Sequence, residues 1–421
     1  MRLAFASRID RMMSTIDADS LPLACDVLVV GAGPAGSACA QLLARGGLDV
    51  VLADQHTFPR DKTCGDGLIP DSHAALKRLG VFDEVMLHAQ PVRHVGCIGP
   101  RGGRVDVPGA LAVLPRRVLD DIVCRAAQRA GAKMLAPARF EAPIEEGGVV
   151  VGARLKIGDA SHALHARWVV MATGAVPQAM QAAGLCDRRT PSGVALRGYV
   201  KNEAMAGRIQ ALEIVWHKQL RPGYGWIFPC RDGVFNIGVG VVQSHTIERG
   251  KGLMQDVNLR EVFKQFCTFY APARELIAGG SLQGELKGAP LRCTLEGARY
   301  SRPGMLATGE AVGSTYSFSG EGIGKALETG MLAAEAILRS HGLDDAAVRA
   351  AYEAKLLALK PRFQLYERAN SVNAHPWLID LLLWRASKSE RLLRRMSGVL
   401  NETSNPGHLV SVKGLTRLFL E

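Results

Sequence analysis

Gly31, Gly33 and Gly36 stand in the spacing Gly-x-Gly-x-x-Gly, directly behind the apolar run Cys25-Asp-Val-Leu-Val-Val and at the head of Pro34-Ala35-Gly-Ser-Ala-Cys-Ala-Gln-Leu-Leu-Ala. Residues of these types at this spacing can hold a pyrophosphate. Gly31 permits a tight turn, Gly33 lets phosphates approach the backbone, and Gly36 lets the helix pack close to the strand. The helix start at Pro34 and Ala35 offers unpaired N–H groups and the positive end of a dipole. Asp54 closes the next apolar run, Val50-Val-Leu-Ala, about twenty residues on, with Gln55 beside it. A carboxylate there can take the ribose hydroxyls of an adenosine. Strand, glycines, helix, strand and acid in this order make a dinucleotide site.

A second segment says which dinucleotide. Gly304-Met-Leu-Ala-Thr-Gly309-Glu310-Ala-Val-Gly313 reads as a strand into a turn, and Phe318-Ser-Gly320-Glu321-Gly322-Ile323-Gly324 as a glycine-rich helix start. A nicotinamide dehydrogenase has no need of a nucleotide-contacting element so far from the first. FAD, extended across its domain, does. Glu310 can bind hydroxyls on the ribityl or phosphate side. The helix N-terminus near Gly320, Gly322 and Ile323 can face the pyrimidine edge of the ring, where its dipole favours negative charge on reduced flavin.

With these two segments the chain resembles the geranylgeranyl reductase family of FAD-dependent oxidoreductases. That family lies within the p-hydroxybenzoate-hydroxylase-like flavoproteins, beside flavin-dependent hydroxylases and halogenases. Three further matches carry the resemblance, which runs from about Cys25 to Leu338. Phe58-Pro-Arg60-Asp-Lys-Thr-Cys64-Gly65-Asp-Gly67 looks like the family's segment with a Cys-Gly pair near the flavin. Arg116-Arg-Val-Leu-Asp120 is similar to its helix start, whose arginine faces FAD. Tyr224-Gly-Trp226-Ile-Phe228-Pro229, closing with Asn236-Ile-Gly238-Val-Gly240, resembles its sheet motif lining the substrate cavity. The resemblance implies that Arg60, Cys64, Gly65, Arg116, Thr173, Gly174 and Glu310 contact FAD, and that Tyr224, Trp226 and Phe228 contact substrate. Alternation on a strand alone puts those three rings on one face, which core packing would equally explain. Cys64 has no second cysteine at the spacing of a flavin disulfide reductase. It is either a flavin-side thiol that positions or protonates substrate, or a small buried residue beside the ring.

The candidate catalytic residues are thus Cys64, Tyr224 and Trp226. The expected activity is reduction of C=C bonds in a polyprenyl or similar apolar substrate, with reduced flavin delivering a hydride. The alternative is an oxygen-using monooxygenase acting on an aromatic small molecule or peptide side chain. Halogenation is its weaker form, because Tyr224–Pro229 departs from the Trp-x-Trp-x-Ile-Pro of halogenases. Where many hydroxylases carry Asp-Gly, Thr173-Gly174 stands here, which argues against NADPH reduction by the hydroxylase route. No second Gly-x-Gly-x-x-Gly unit is present, so NAD(P)H or another external electron donor must reach the flavin transiently.

Composition narrows the rest. Nine cysteines show no pairing framework and suggest reduced thiols in a cytoplasmic protein. No metal-ligand spacing occurs, and no metal is expected. The net charge of +11 is spread along the chain without interleaved aromatics, which argues against nucleic acid. It suits an anionic substrate, a diphosphate head or a membrane surface. Trp377-Leu-Ile-Asp-Leu-Leu-Leu-Trp384, followed by Arg385, Lys388, Arg391, Arg394 and Arg395, reads either as an interfacial helix for peripheral membrane contact or as a docking helix with a solvated basic end. No run approaches the roughly 18 apolar residues of a membrane span.

The elements that must position these residues form an α/β protein. A Rossmann-like FAD-binding domain is assembled from discontinuous segments, residues 25–190 and 301–340. An antiparallel-sheet substrate domain occupies 191–300, a helical C-terminal region 341–421, and a disordered leader 1–24. Alternation in Gly148–Ile157 suggests an antiparallel ribbon attached to the parallel sheet.

Overall fold

Buried apolar runs with no alternation lie at the centre of the first of two large sheets. In the computed structural model the described residues are 21–188, 190–242, 247–248, 251–252, 257–339 and 344–404. The first sheet centres on β1 (Ala24–Val30), flanked in parallel by β2 (Val50–Ala53) and β9 (Ala160–Met171). β6 (Lys133–Leu135) lies beyond β2, while β19 (Met305–Ala307) and β18 (Ser301–Arg302) lie beyond β9. Val27–Val30 and all of β2 are buried, as expected of strands covered on both faces. The ribbon expected near Gly148 is present: β7 (Arg139–Glu146) pairs antiparallel with β8 (Val149–Ile157), and β8 in turn pairs antiparallel with β9. Most of the expected leader, residues 1–20, lies outside the described residues. Ala24, expected within it, opens β1 and pairs with His165, and just ahead of the strand Leu23 O accepts the His165 N–H at 2.9 Å.

The second sheet runs in the order β16 (Ser281–Leu282), β10 (Gly193–Lys201), β13 (Val234–Val242), β12 (Gly223–Pro229), β11 (Leu212–Val215), β4 (Gln90–Ile98), β5 (Arg104–Val113), β3 (Gly67–Leu68). β17 (Lys287–Leu291) also pairs with β10, and a short ribbon joins β14 (Ile247–Glu248) to β15 (Lys251–Gly252). All pairings are antiparallel except β4 with β11. Three of these strands come from residues 67–113, which the sequence reading placed with the cofactor-binding segments. Strand patterning reveals which side chains face a core but not which distant strand pairs alongside, so Val95–Ile98 found Leu212–Val215 across more than a hundred residues.

Helices fill three spaces. α1 (Pro34–Arg45) packs between α4 (Arg116–Arg129) and α8 (Ile323–Arg339), with α2 (Pro70–Leu79) also on α8 and α3 (Phe82–His88) beside α2 and α4. α5 (Gln178–Ala182) lies on β7. α6 (Leu259–Phe269), capped by Asn258, and α7 (Ala271–Ala278) cover one face of the second sheet through Phe263, Phe266 and Leu276. The C-terminal helices α9 (Asp345–Ala369), α10 (Ser371–Ala374), α11 (Trp377–Ala386) and α12 (Glu390–Leu400) return to the sheets. Tyr352 and Phe363 of α9 join the core of the first sheet, whereas Val372, Ile379, Leu383 and Leu392 pack with Val95, Val107 and Trp216 of the second. Asn373 fastens this cover: it accepts from Trp216 Nε1 at 2.7 Å and donates to Phe318 O at 3.1 Å.

Candidate functional site

Two remote segments meet because glycines let two helices touch at backbone distance. A Cβ on Gly330 of α8 would lie 2.1 Å from Ala35 O, and one on Gly309 would lie 2.6 Å from Ala35 Cβ. The start of α1 is thereby brought against the loop after β19. Around this junction opens a cavity of about 1160 Å³, at or above the ~300–1,000 Å³ of ordinary small-molecule sites.

At one end lies the glycine turn. Gly31 has φ +103° and a Cβ there would meet Ala172 O at 2.4 Å, while Gly36 has room for none, with Gly31 O only 1.7 Å from where its Cβ would stand. Gly33 is open, its nearest neighbour being Arg60 Nη2 at 3.4 Å. Buried Asp54 does two tasks already: Oδ2 accepts the Ala32 N–H at 2.8 Å and Oδ1 the His56 N–H at 2.9 Å. Arg60 Nε lies 3.7 Å from Oδ2, and Asp54 lines the cavity with Gln55, its oxygens having capacity for further hydrogen bonds. Two arginines share the buried carboxylate of Asp120. Arg116 grips it at 2.6 and 2.9 Å, and Arg60 Nη1 reaches Oδ2 at 3.1 Å. Burial works against the Arg116 charge, and Asp120 more than offsets it.

On the other side, Glu310 Oε1 accepts from the Arg292 N–H and from Thr315 Oγ1, both at 3.3 Å. Gly320, at φ +71°, lies so close to Tyr224 that an added Cβ would sit 2.6 Å from its hydroxyl, which donates to Ser319 O at 2.6 Å. Glu321 lines the cavity, and burial together with the neighbouring Asp71 carboxylate pushes its pKa up to about 8. Below this turn, buried Lys325 collects three carboxylates: Glu328 at 2.7 Å, Glu402 at 2.9 Å and Asp71 at 3.6 Å. Burial raises Asp71 to about 6 against the pull of Lys325.

The middle of the cavity carries the aromatic row of β12. Successive ring centroids of Tyr224, Trp226 and Phe228 are 6.4 Å apart, on one sheet face. The glycines of β13 make room for it, since a Cβ on Gly238 would lie 2.3 Å from the Trp226 ring. Trp226 Nε1 donates to Asn236 Oδ1 at 2.9 Å. Asn236 Nδ2 in turn reaches Cys64 O at 2.8 Å and Asp66 Oδ2 at 2.7 Å, and Tyr199 OH also donates to Asp66 Oδ2. Asp66 is fully buried at φ +65°, and burial lifts its pKa to about 6 against the hydrogen bonds of Tyr199 and Asn236. Burial likewise pushes the Cys64 thiol up, with Arg116 opposing, so the sulfur stays protonated at neutral pH. Beyond the row, the cavity becomes apolar, running between Val95, Leu212 and Ile214 of the sheet and Ile379, Leu383 and Leu400 of the C-terminal helices.

Of the residues that the sequence offered as catalytic, cofactor-binding or substrate-binding, all but two line this one cavity. Gly36 and Gly309 do not. They face backbone and Ala35, and serve the close packing that makes the site. The sequence reading missed the Asp66–Asn236–Tyr199 network beneath Trp226. The signal was present as a lone Asn within the otherwise apolar Phe235–Val242, and as an Asp between Gly65 and Gly67. The residues present fit FAD: the turn is open only at Gly33, the two arginines line the wall, and the buried Thr173 Oγ1 has no hydrogen-bond partner within the protein. Among the described residues, no group of three or more His, Cys, Asp or Glu is placed to hold a metal.

Comparison with known proteins agrees with this geometry. Residues 24–250 match the FAD binding domain family. The chain is 34% identical to menaquinone reductase of Mycolicibacterium smegmatis over 352 residues, covering 76% of this chain and 78% of that one. It is 29% identical to digeranylgeranylglycerophospholipid reductase 1 of Methanopyrus kandleri, over 76% and 82% of the two chains. In fold it is similar to a geranylgeranyl bacteriochlorophyll reductase-like protein of Thermoplasma acidophilum, with a TM-score of 0.74 at 20% identity over 94% and 96% of the chains. A match over more than half the chain, with named reductases aligned across three quarters of it, places the protein: it belongs to the FAD binding domain family, as an FAD-dependent oxidoreductase.

Proposed function

We propose that this oxidoreductase saturates C=C bonds of a polyprenyl or similarly apolar, lipid-like substrate. The observation that carries the reading is the single cavity, which passes from the phosphate-type turn, over the aromatic row, to an apolar end closed by the C-terminal helices. The relatives' names, which are those of reductases of menaquinone and of a digeranylgeranyl lipid, support it. The first sheet then serves the cofactor and the second the substrate.

Bound FAD supplies the hydride. The chain's own residues do the rest. The N–H groups at the start of α1, with Arg60 and Arg116, hold the diphosphate, and Asp54 and Glu310 take hydroxyls. Tyr224, Trp226 and Phe228 orient the alkene on one face, and the Asn236 bond keeps the Trp226 indole from rotating. The apolar end excludes water. Saturation also needs a proton on the second carbon, and two cavity-lining groups hold one at neutral pH, the Glu321 carboxyl and the Cys64 Sγ. The electron donor is external, NAD(P)H, ferredoxin or a quinol.

The test is anaerobic. Protein whose flavin has been reduced by dithionite is mixed with a polyprenyl compound, and the flavin spectrum is followed. Reoxidation by the alkene without oxygen is expected. A flavin that stays reduced until oxygen is admitted, then turns over faster with an aromatic compound, overturns the reading in favour of a monooxygenase.

A further inference from the structure

Helix α11 has two functional faces. Ile379, Leu382 and Leu383 look inward and line the apolar end of the cavity. On the opposite face, Trp377 and Trp384 are 61% and 52% exposed. They are seven residues apart, two helical turns, and so share one stripe with half-buried Leu381 between them. Large indoles are rarely left in water on a surface helix without a partner. The neighbourhood is cationic. Lys388, just past the helix end, lies with Nζ 4.6 Å from the Trp384 ring centroid, and Arg391 and Arg394 on α12 are exposed. The one carboxylate of α11, Asp380, is engaged by the Arg101 backbone N–H at 3.1 Å and by its guanidinium at 3.9 Å. Among the described residues no helix is long and apolar enough to cross a membrane.

We propose that the outer face of α11, with the basic start of α12, seats the protein on an anionic lipid bilayer. Indoles flanked by lysine and arginine match the interfacial zone, where the ring sits at headgroup depth and the cations meet anionic lipid. Glu390 lies 4.0 Å from Arg394, yet residues 385–395 still carry Arg385, Lys388, Arg391, Arg394 and Arg395 against this one carboxylate, and that excess of positive charge selects an anionic bilayer over a neutral protein partner. The same helix walls the apolar end of the cavity, which places that end one helix thickness from the membrane. The purpose of this arrangement rests on the lipid-like substrate proposed above. Its detection does not, because vesicle binding is read without turnover.

The full-length holoprotein is sedimented with vesicles of phosphatidylcholine alone and of phosphatidylcholine with phosphatidylglycerol. Binding only to the anionic vesicles is expected, weakened by salt and by Lys388→Glu/Arg391→Glu by roughly tenfold or more. Trp377→Ser/Trp384→Ser should weaken it comparably, while turnover of detergent-dispersed substrate stays unchanged. On the native sequence, lipids brominated near the headgroup should quench tryptophan fluorescence. The quenching should vanish in Trp377→Phe/Trp384→Phe, because Trp168, Trp216 and Trp226 are buried. Absence of vesicle binding, or quenching that survives the double Phe variant, overturns the proposal. So does a dimer in sedimentation velocity that Trp377→Ser/Trp384→Ser dissolves, which would assign the face to a second copy of the chain.

Discussion

Gly33 and Gly36 lie three residues apart in one turn, yet substitution should act through different free energies. A Cβ at Gly33 meets only Arg60 Nη2, at 3.4 Å, whereas at Gly36 it falls 1.7 Å from Gly31 O. Gly33→Glu therefore leaves the fold intact and adds a negative charge where a diphosphate must sit. At about 5 Å and an effective dielectric constant of about 20, one pair of like charges costs about 3 kcal/mol. That corresponds to a loss of affinity of a hundredfold or more, on the order of 10². FAD titration by flavin fluorescence should show this loss, while the thermal midpoint of the apoprotein shifts by less than about 2 °C. Gly36→Ala should act in the other order. Real Cβ atoms come no closer than 3.0 Å, so turn and helix must part by more than about 1 Å, an overpacking strain of about 3 kcal/mol. The urea midpoint of the apoprotein should fall accordingly, before cofactor is added. Wild-type FAD affinity in Gly33→Glu, or an unchanged apoprotein midpoint in Gly36→Ala, would refute the division of the turn into a binding glycine and a packing glycine.

Four further outcomes follow from the site. Glu321 has a folded pKa of about 8 against 4.5 unfolded, so its contribution to stability is fully present below the unfolded value and is lost as pH rises toward 8. Apoprotein stability should fall between about pH 5 and 8 by up to about 1.4 kcal/mol per unit from this group. Urea titrations should show Glu321→Gln flattening the slope above about pH 6; equal slopes in both proteins would remove Glu321 from the account. Arg116→Ala should weaken FAD binding and also destabilise the apoprotein by about 3 kcal/mol, because Asp120 stays buried with only Arg60 as counter-charge. Glu310→Ala, whose partners are a backbone N–H and a hydroxyl, should lower FAD affinity with a far smaller effect on the urea midpoint. Leu383→Trp should fill the apolar end of the cavity. It is expected to abolish anaerobic flavin reoxidation by long isoprenoids while sparing short ones, and equal loss with both would mean that chains do not reach this end.

Much of the site was legible in the sequence because its parts are local. A Gly-x-Gly-x-x-Gly turn, the acid Asp54 on the next strand and the alternation Tyr224-x-Trp226-x-Phe228 each need only a few consecutive residues and their periodicity to be understood. The parallel strands β1 and β2 were equally legible, since unbroken apolar runs signal strands covered on both faces. What the sequence could not reveal depends on residues meeting across long separations. The packing role of Gly36 was readable from its place in the turn, but only the packed structure shows that Gly309 makes room for the Ala35 side chain. Residues 67–113 read as strands in either context, and their place in the second sheet was decided by pairing with Leu212–Val215. The Asp66 network unites residues from positions 66, 199, 226 and 236, whose hydrogen bonds exist only once β10, β12 and β13 lie side by side. The two faces of α11 were latent in its apolar run, but a run that is apolar nearly all round does not say which side is buried. The second sheet settled that by covering Ile379 and Leu383 and leaving Trp377 and Trp384 in solvent. Periodicity is a property of neighbours in the chain, whereas burial and partnership are properties of neighbours in space.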